Sequence, residues 1–555
     1  MNRIMIGTEN FKKMIDNHYY YIDKTHLIED VFKNEVVLYT RPIRFGKTLN
    51  MSMLYYFFSN KEKDNAYLFD GLKITHNPEI MKHRNQYPVI SISLKEMSSL
   101  NLENQLAQFA EVIRNVVINN KELLESQYVD DSDKEILNDF RFSRAKETQL
   151  KNSLKIISNC LMQHYQKKVI ILIDEYDVPL QYAHLNNYYD EMVDFLKSIL
   201  SSTLKTNPAL EKGVLTGCLR IAKESIFTGL NNFTVRSIMD EEGNDCFGFT
   251  QNEIDDVLKY YHLQEKKEEM KEWYDGYNFS NLEIYNPWSS LNYINKLLMN
   301  SSYQAESFWA NTSSNDIVRE YIELGTQTMR EEFEELLNDK SIYKELKPEL
   351  TYREMNFDKD IINDDIYSFL LYTGYLKTTG NVRKQGLSTF YELVIPNKEV
   401  KMIYYNQFMS WFNFYKMEKQ NPFIKALINE DTDQANRILY DIMMNNMSYY
   451  DSVESFYHGF MVGFLKADGY KVQSNQESGN GRFDIFVLPN YPKDRGIVIE
   501  CKHSISKIDL EKDSIRAVEQ IKDNKYIEGL NVKGYKDIIG YGISFYKKQC
   551  YITKE

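Results

Sequence analysis

The 555-residue chain has few of the features that mark secreted, membrane-spanning or zinc-binding proteins. Its five cysteines (Cys160, Cys218, Cys246, Cys501, Cys550) are scattered and form no CxxC pair. That argues against zinc ligation and against a disulfide framework. No apolar run approaches the ~18–20 residues of a membrane span. The opening MNRIMIGTENFKKM lacks the apolar stretch and small-residue cleavage site of a secretory signal. Internal repeats and low-complexity tracts are absent. Excess positive charge is missing too, since the net charge is −13. Overall charge therefore does not advertise a nucleic-acid partner, although local field decides. These absences predict a cytoplasmic protein with no membrane contact.

What is present is ordinary globular composition, with 43% hydrophobic and 26% charged residues and an abundance of Tyr (42) and Phe (30). The length exceeds what one core supports and predicts about three domains. Composition and pattern divide the chain at 1–245, 246–440 and 441–555. In the first part, short β-rich runs alternate with helical patterns. VVLYT (36–40), YPVISISL (87–94), KKVIILIDE (167–175) and GVLTGCL (213–219) read as strands, and LENQLAQFAEVIRNVVI (102–118) as a helix. This alternation predicts an α/β domain with a parallel sheet. The 246–440 region reads as mainly helical, opening at Thr250 with Glu253 three residues on, a capping pair. IYSFLLYTGYLKTT (366–379) and FYELVIPNKEV (390–400) read as strands within it. From 441 onward, a helix (452–467), three strands, a helix (513–526) and a final β-rich stretch predict an α/β/α domain.

One more absence raises a question of chemistry. RPIRFGKT (41–48) follows VVLYT and ends as a phosphate-cradling loop does, yet Arg41 stands where such loops carry their first glycine. Gly46, Lys47 and Thr48 remain, for the backbone cradle, the β/γ-phosphate contact and the Mg²⁺ ligand. Arg41, Arg44 and Phe45 complete the candidate nucleotide-contacting loop, and the two arginines add positive charge. A chance GKT in a polar loop is the competing reading. VIILIDEYD (169–177) weighs against chance. A strand apolar at every position delivers Asp174, a candidate Mg²⁺ ligand, and Glu175, a candidate for polarising the attacking water. A third strand end, VLTGCLRI (214–221), offers Thr216 and Arg220 near the phosphates. Each alone reads better as an ordinary strand-end residue.

A second chemistry lies in FDIFVLP…GIVIECKH. Metal-assisted phosphodiester hydrolysis needs clustered carboxylates and a cation beside the scissile phosphate. Glu500 and Lys502 are two apart in a strand and project to one face, with Cys501 on the other. If the strand carrying Asp484 pairs with theirs, Asp484, Glu500 and Lys502 form one patch. Asp484 and Glu500 are then the metal ligands. An edge strand with an acid–base pair is the bland alternative. Glu454 and His458, four apart on a helix face, are an added acid and a supporting group. From Arg495 to Glu555 there are 12 Lys/Arg against 9 Asp/Glu, so the segment is locally basic on an acidic chain.

YYIDKTHLI (20–28), RPIRFGKTLN (41–50), VIILIDEYDVPL (169–180), LTGCLRIAKESIFTGLNNF (215–233) and FGFTQNEI (247–254) resemble a mainly bacterial family. It comprises AAA-ATPase-like proteins with a C-terminal PD-(D/E)XK nuclease-like domain. WYDGYNF (273–279), IYNPWS (284–289), FWANTSSND (308–316), LLYTGYL (370–376), IPNKEV (395–400), YHGFMVGFL (457–465) and SGNGRFDI (478–485) extend the resemblance over nearly the whole chain. In that family RPxRFGKS/T is the usual loop, so the resemblance makes Arg41 a family form. Gly481 and Arg482 before Asp484 match its GRxD. Gln520 and Tyr526 are similar to a QIxxxxY element that packs beside the site in related nucleases. The aromatic clusters WYDGY and YNPWS read as a packed core and helix cap. The resemblance implies ATP and Mg²⁺ or Mn²⁺ as cofactors and nucleic acid, DNA first, as partner, and leaves room for a homo-oligomer. It implies an ATPase module that gates or moves a nuclease. The alternatives are a nucleotide-regulated nucleic-acid binder that does not cut, and a scaffold.

Overall fold

A computed structural model describes all residues except 1, 206, 220–226, 228–232, 310–326, 351–364, 409–421, 447–453, 467–470, 479–480, 490–493 and 533. The chain forms two compact units, Met1–Ser314 with Tyr343–Glu399, and Asn315–Ile342 with Val400–Glu555. Residues of the 246–440 stretch are thus divided between both units. Among the described residues, no helix is long and apolar enough to cross a membrane.

The first unit is built on β1 (Val36–Thr40), β2 (Val89–Ser93), β3 (Val169–Asp174), β4 (Leu210–Gly217) and β5 (Phe233–Arg236), in the order β2-β3-β4-β1-β5. All four pairings are parallel. Every residue of VVLYT and VIILID is buried, which explains why these strands are apolar at each position rather than alternating. Parallel strands need crossovers, and amphipathic helices supply them. Leu102–Ile118 starts at Asn101, whose side chain accepts the Asn104 N–H, and buries Phe109, Ile113, Val116 and Val117. β5 was not among the expected strands: FTVR is short and half-buried, and carries no apolar run.

Beyond the sheet, the Thr250–Glu253 capping box forms as the sequence indicates. Glu253 N–H reaches Thr250 Oγ1, and Thr250 N–H reaches Glu253 Oε2 at 2.8 Å, opening helix Gln251–Tyr260. The hairpin β6 (Tyr277–Phe279) and β7 (Leu282–Ile284) precedes helix Pro287–Met299, capped by Asn286. The strand expected over 366–379 is corrected. Asp365–Tyr372 is a helix buried along its whole length, and only Lys377–Gln385 (β9) is strand. An apolar run does not distinguish the two forms by itself. The decisive signal is Gly374, at φ 89°. Gly374 N–H bonds Leu371 O and Tyr375 N–H bonds Leu370 O, the glycine-closed end of a helix. β9 pairs with β10 (Ser388–Val394) in a sheet ordered β8-β10-β9, where β8 is Ile342–Glu345.

The second unit carries a mixed sheet, β11 (Lys471–Ser478), β12 (Gly481–Leu488), β13 (Gly496–His503), β14 (Ile538–Tyr546) and β15 (Gln549–Lys554), in that order. Only β13–β14 is parallel. Helices Glu454–Lys466 and Leu510–Asp523 pack on it. β13 is buried from Gly496 to Cys501 and emerges at Lys502 and His503.

Candidate nucleotide cleft and nuclease-type centre

In the first unit, the loop after β1 borders a cleft of about 540 Å³, within the usual range for small-molecule sites. Ile43 to Asn50 form one wall. Arg44 and Gly46 have left-handed backbones, φ 68° and 83°, and Gly46 immediately precedes helix Lys47–Phe58. Such a turn aims backbone N–H groups into the space ahead of a helix N-terminus, where phosphate binds well. The far walls are apolar and aromatic, including Ile6, Tyr21, Phe249, Trp288 and Leu291. Tyr21, Phe249 and Trp288 lie in segments that carry the family resemblance, but nothing in the sequence joined them to the loop, which they meet only through the fold.

Lys47 is buried, and its Nζ donates to Arg41 O and Pro42 O, both at 3.2 Å, and to Cys218 Sγ at 3.4 Å. Glu175 Oε1 lies 3.6 Å away. Burial pulls the Lys47 pKa down, but Cys218, Glu175, Asp177 and Asp174 outweigh it and raise it overall, so the ammonium stays charged. Glu175 lines the cleft at φ 54°, a left-handed conformation uncommon for a non-glycine residue. Burial lifts its carboxyl to about 7, against the pull of Lys47. Asp174 and Thr216, at the ends of neighbouring β3 and β4, are both buried, and the Thr216 hydroxyl donates to Asp174 Oδ1. Asp174 Oδ2 is buried without a hydrogen-bond partner. A buried orphan carboxylate oxygen is costly unless something charged completes it, and this oxygen fits a divalent cation. Neither Asp174 nor Thr216 lines the cleft itself.

The other loop residues take different places. Arg41 does not reach the cleft. It is wholly buried, with Nη1 donating to Thr40 O at 2.8 Å and Arg236 O at 2.6 Å, and Nη2 to Gly243 O at 2.8 Å. Phe247 and Phe279 flank its guanidinium. The arginine at the usual glycine position thus supports the loop from behind, and its reading as a nucleotide contact is corrected accordingly. Arg44 lines the cleft, stacked 3.8 Å from the Trp288 ring. Phe45 is buried between Tyr277 and Phe279. Thr48 faces the cleft. Arg220 lies outside the described residues.

The aromatic motifs converge behind Phe45. Tyr277 lies 6.2 Å from Trp309, which stacks on Tyr375. Asn397 donates to Asp275 O. Glu399, fully buried, accepts from Ser289 Oγ at 2.9 Å, Phe308 N at 2.8 Å and Trp309 N at 2.9 Å, while its Oε2 has no partner. Burial lifts this carboxyl to about 7. Sequence reasoning missed Glu399. Its only signal was a charged residue inside the quoted IPNKEV.

In the second unit, β12 and β13 run antiparallel, with Ile485 opposite Ile499. One step further along this register, Asp484 stands opposite Glu500. Asp484 Oδ2 accepts the Cys501 N–H at 2.8 Å, and Glu500 Oε2 accepts the Asp484 N–H at 3.3 Å. Lys502 Nζ lies 3.6 Å from Glu500 Oε1, and Gln520, from helix Leu510–Asp523, donates to the same oxygen. The four residues are therefore brought together, and Cys501 is buried on the opposite face. His458 Nε2 donates to Asp484 O at 3.0 Å, fixing the strand that carries the acid. Tyr526 is a core residue packed with Phe486, Val498, Ile521 and Leu530. Glu454 begins helix Glu454–Lys466, and its side chain lies outside the described residues. The donor set, two carboxylates on adjacent strands beside an ammonium, fits a hard divalent cation.

Comparison with known proteins matches the two regions in which these sites lie. Residues 5–227 match the family described as predicted AAA-ATPase, AAA-ATPase-like. Residues 452–555 match the PD-(D/E)XK nuclease superfamily. An uncharacterized protein in the vnfD 5′ region of Azotobacter chroococcum mcd 1 is similar at 24% identity, covering 96% of this chain and 94% of that protein. The chain thus carries an AAA-ATPase-like region at residues 5–227 and a PD-(D/E)XK nuclease superfamily region at residues 452–555.

Proposed function

We propose that this protein is a nucleotide-binding, metal-dependent nuclease that cuts nucleic acid, DNA first, and turns over ATP in its N-terminal cleft. The observation that carries the reading is the convergence of Asp484, Glu500, Lys502 and Gln520 at one edge of β12–β13. Asp484 and Glu500 would hold Mg²⁺ or Mn²⁺, which when bound supplies the Lewis acid that polarises the phosphate and acidifies a water. Lys502 stabilises charge building on the phosphate. Gln520 orients Glu500, and His458 fixes the backbone at Asp484.

At the nucleotide cleft, the turn around Gly46, Lys47 and Thr48 would take the phosphates, and the aromatic far wall suits a nucleoside better than free phosphate. Asp174 Oδ2 and Thr48 would hold Mg²⁺. Glu175, with its carboxyl near 7, would take the proton of the attacking water.

The test is cleavage of linear and supercoiled DNA, with RNA in parallel, under Mg²⁺ or Mn²⁺ and with or without ATP. Metal-dependent DNA cleavage is expected, abolished by Lys502→Ala. Binding without cleavage under either metal would turn the reading to a nucleic-acid binder.

A further inference from the structure

Immediately after Asp174 and Glu175, Tyr176 and Asp177 reach across to the end of β4. Tyr176 N–H donates to Thr216 O at 3.0 Å, and its hydroxyl donates to Leu219 O at 2.6 Å. Asp177 Oδ2 accepts two backbone N–H groups, from Cys218 at 2.8 Å and Leu219 at 3.0 Å. Asp177 directly precedes helix Val178–Leu185, where an aspartate ordinarily caps its own helix, yet its side chain makes no such bond. It is spent on the neighbouring strand end instead. The fit leaves no room for a side chain at position 217. A Cβ on Gly217 would come within 2.6 Å of the Tyr176 ring and 2.7 Å of Asp177 Oδ1.

We propose that Asp177, assisted by Tyr176, is a positioning residue that clamps residues 216–219 onto the acid turn. The Thr216–Asp174 pair and the Cys218 contact to Lys47 then move as one body when a γ-phosphate arrives. Two elements that P-loop chemistry needs in register sit on separate strands, β3 and β4. The β3–β4 ladder ends at Ile173–Leu215. Beyond that step, the Tyr176 N–H and the two side chains carry the register. Neither clamp side chain lines the cleft or hydrogen-bonds Lys47, so the clamp acts on turnover and on γ-phosphate discrimination more than on nucleotide affinity. This inference rests on the nucleotide reading above.

The experiment compares full-length wild type with Asp177→Ala, Asp177→Asn and Tyr176→Phe. Asparagine keeps an acceptor oxygen for the two amides. Asp177→Ala is expected to bind ATP within about 3-fold of wild type but to hydrolyse it at least 10-fold more slowly. Asp177→Asn should recover most of the rate, and Tyr176→Phe should lose about 3-fold. If wild type binds ATP without hydrolysing it, the readout becomes the affinity ratio of ATPγS to ADP, lost in Asp177→Ala and kept in Asp177→Asn. Alkylation of Cys218 by iodoacetamide, followed by peptide mass, reports the clamp with no nucleotide present. It should be at least 10-fold faster in Asp177→Ala than in wild type or Asp177→Asn. Wild type that binds no nucleotide would sink the nucleotide reading while leaving the alkylation result to judge the clamp. Unchanged turnover and alkylation in Asp177→Ala, or an equal loss in Ala and Asn variants, overturns the proposal. Should Asp177→Ala fail to fold, Tyr176→Phe carries the same comparison.

Discussion

Asp484 and Glu500 are tied to each other's strands: the Glu500 carboxylate accepts the Asp484 N–H at 3.3 Å, and the Asp484 carboxylate accepts the adjacent Cys501 N–H at 2.8 Å. Both acids are thus oriented by backbone, with one lysine and one glutamine converging on Glu500 Oε1. Glu500→Gln and Lys502→Ala are each expected to slow DNA cleavage by at least about 10²-fold, the scale of losing a positioned transition-state charge. DNA affinity in gel shift should stay within a few-fold, because phosphate contacts spread over many groups.

Lys47→Ala removes the ammonium that lies against Arg41 O, Pro42 O and Cys218. Wild type at ATP near 100 Kd should gain about 2.7 kcal/mol against unfolding. The variant should show no nucleotide-dependent rise in melting temperature.

Arg41→Ala is a stability lesion. It strips one buried carbonyl, Thr40, and two part-buried ones, Arg236 and Gly243, of their donor and leaves a cavity between Phe247 and Phe279. A loss of about 3 kcal/mol in denaturant unfolding is expected. Arg41→Lys should not restore it, because one ammonium does not reproduce the planar fork.

Glu175 has its carboxyl raised from 4.5 to about 7 by burial. As the acceptor of a water's proton it works only when ionised, so ATP turnover should rise with pH through about 7 and level off above it. Glu175→Gln should be slow and flat over the same range.

Glu399 carries a stability signature of its own. Its folded value, about 7, lies above the unfolded 4.5, so the native state holds more protons between these values. The unfolding free energy therefore falls as pH rises from about 4.5 to 7. Glu175 acts in the same direction, so the contribution is read by difference. Glu399→Gln should shrink the stability change between pH 5 and 8 by about 1–3 kcal/mol relative to wild type.

Much of this was legible from local pattern. The β1 and β3 strands announced themselves by apolar residues at every position, and the Glu500–Lys502 spacing placed two side chains on one face of β13. Helix Asp365–Tyr372 reads as strand because an apolar run fits either form, although Gly374 holds the correcting signal. The half-buried β5 had no pattern to read.

The sequence by itself determined two motifs: a glycine–lysine–threonine turn between strand and helix, and an Asp…Glu-x-Lys set on strands. Within each, Gly46–Thr48 and Glu500–Lys502 are close enough along the chain for local geometry to orient them, whereas Asp484 joins its set only through β12–β13 pairing. Only the tertiary structure decided what Arg41, Asp177 and Glu399 do. Arg41 meets the carbonyls of Arg236 and Gly243, Asp177 meets the amides of 218 and 219, and Glu399 meets Ser289 and Trp309. Each is a buried polar group whose partners come from distant chain. Burial makes finding those partners obligatory, but only the fold says which groups they are.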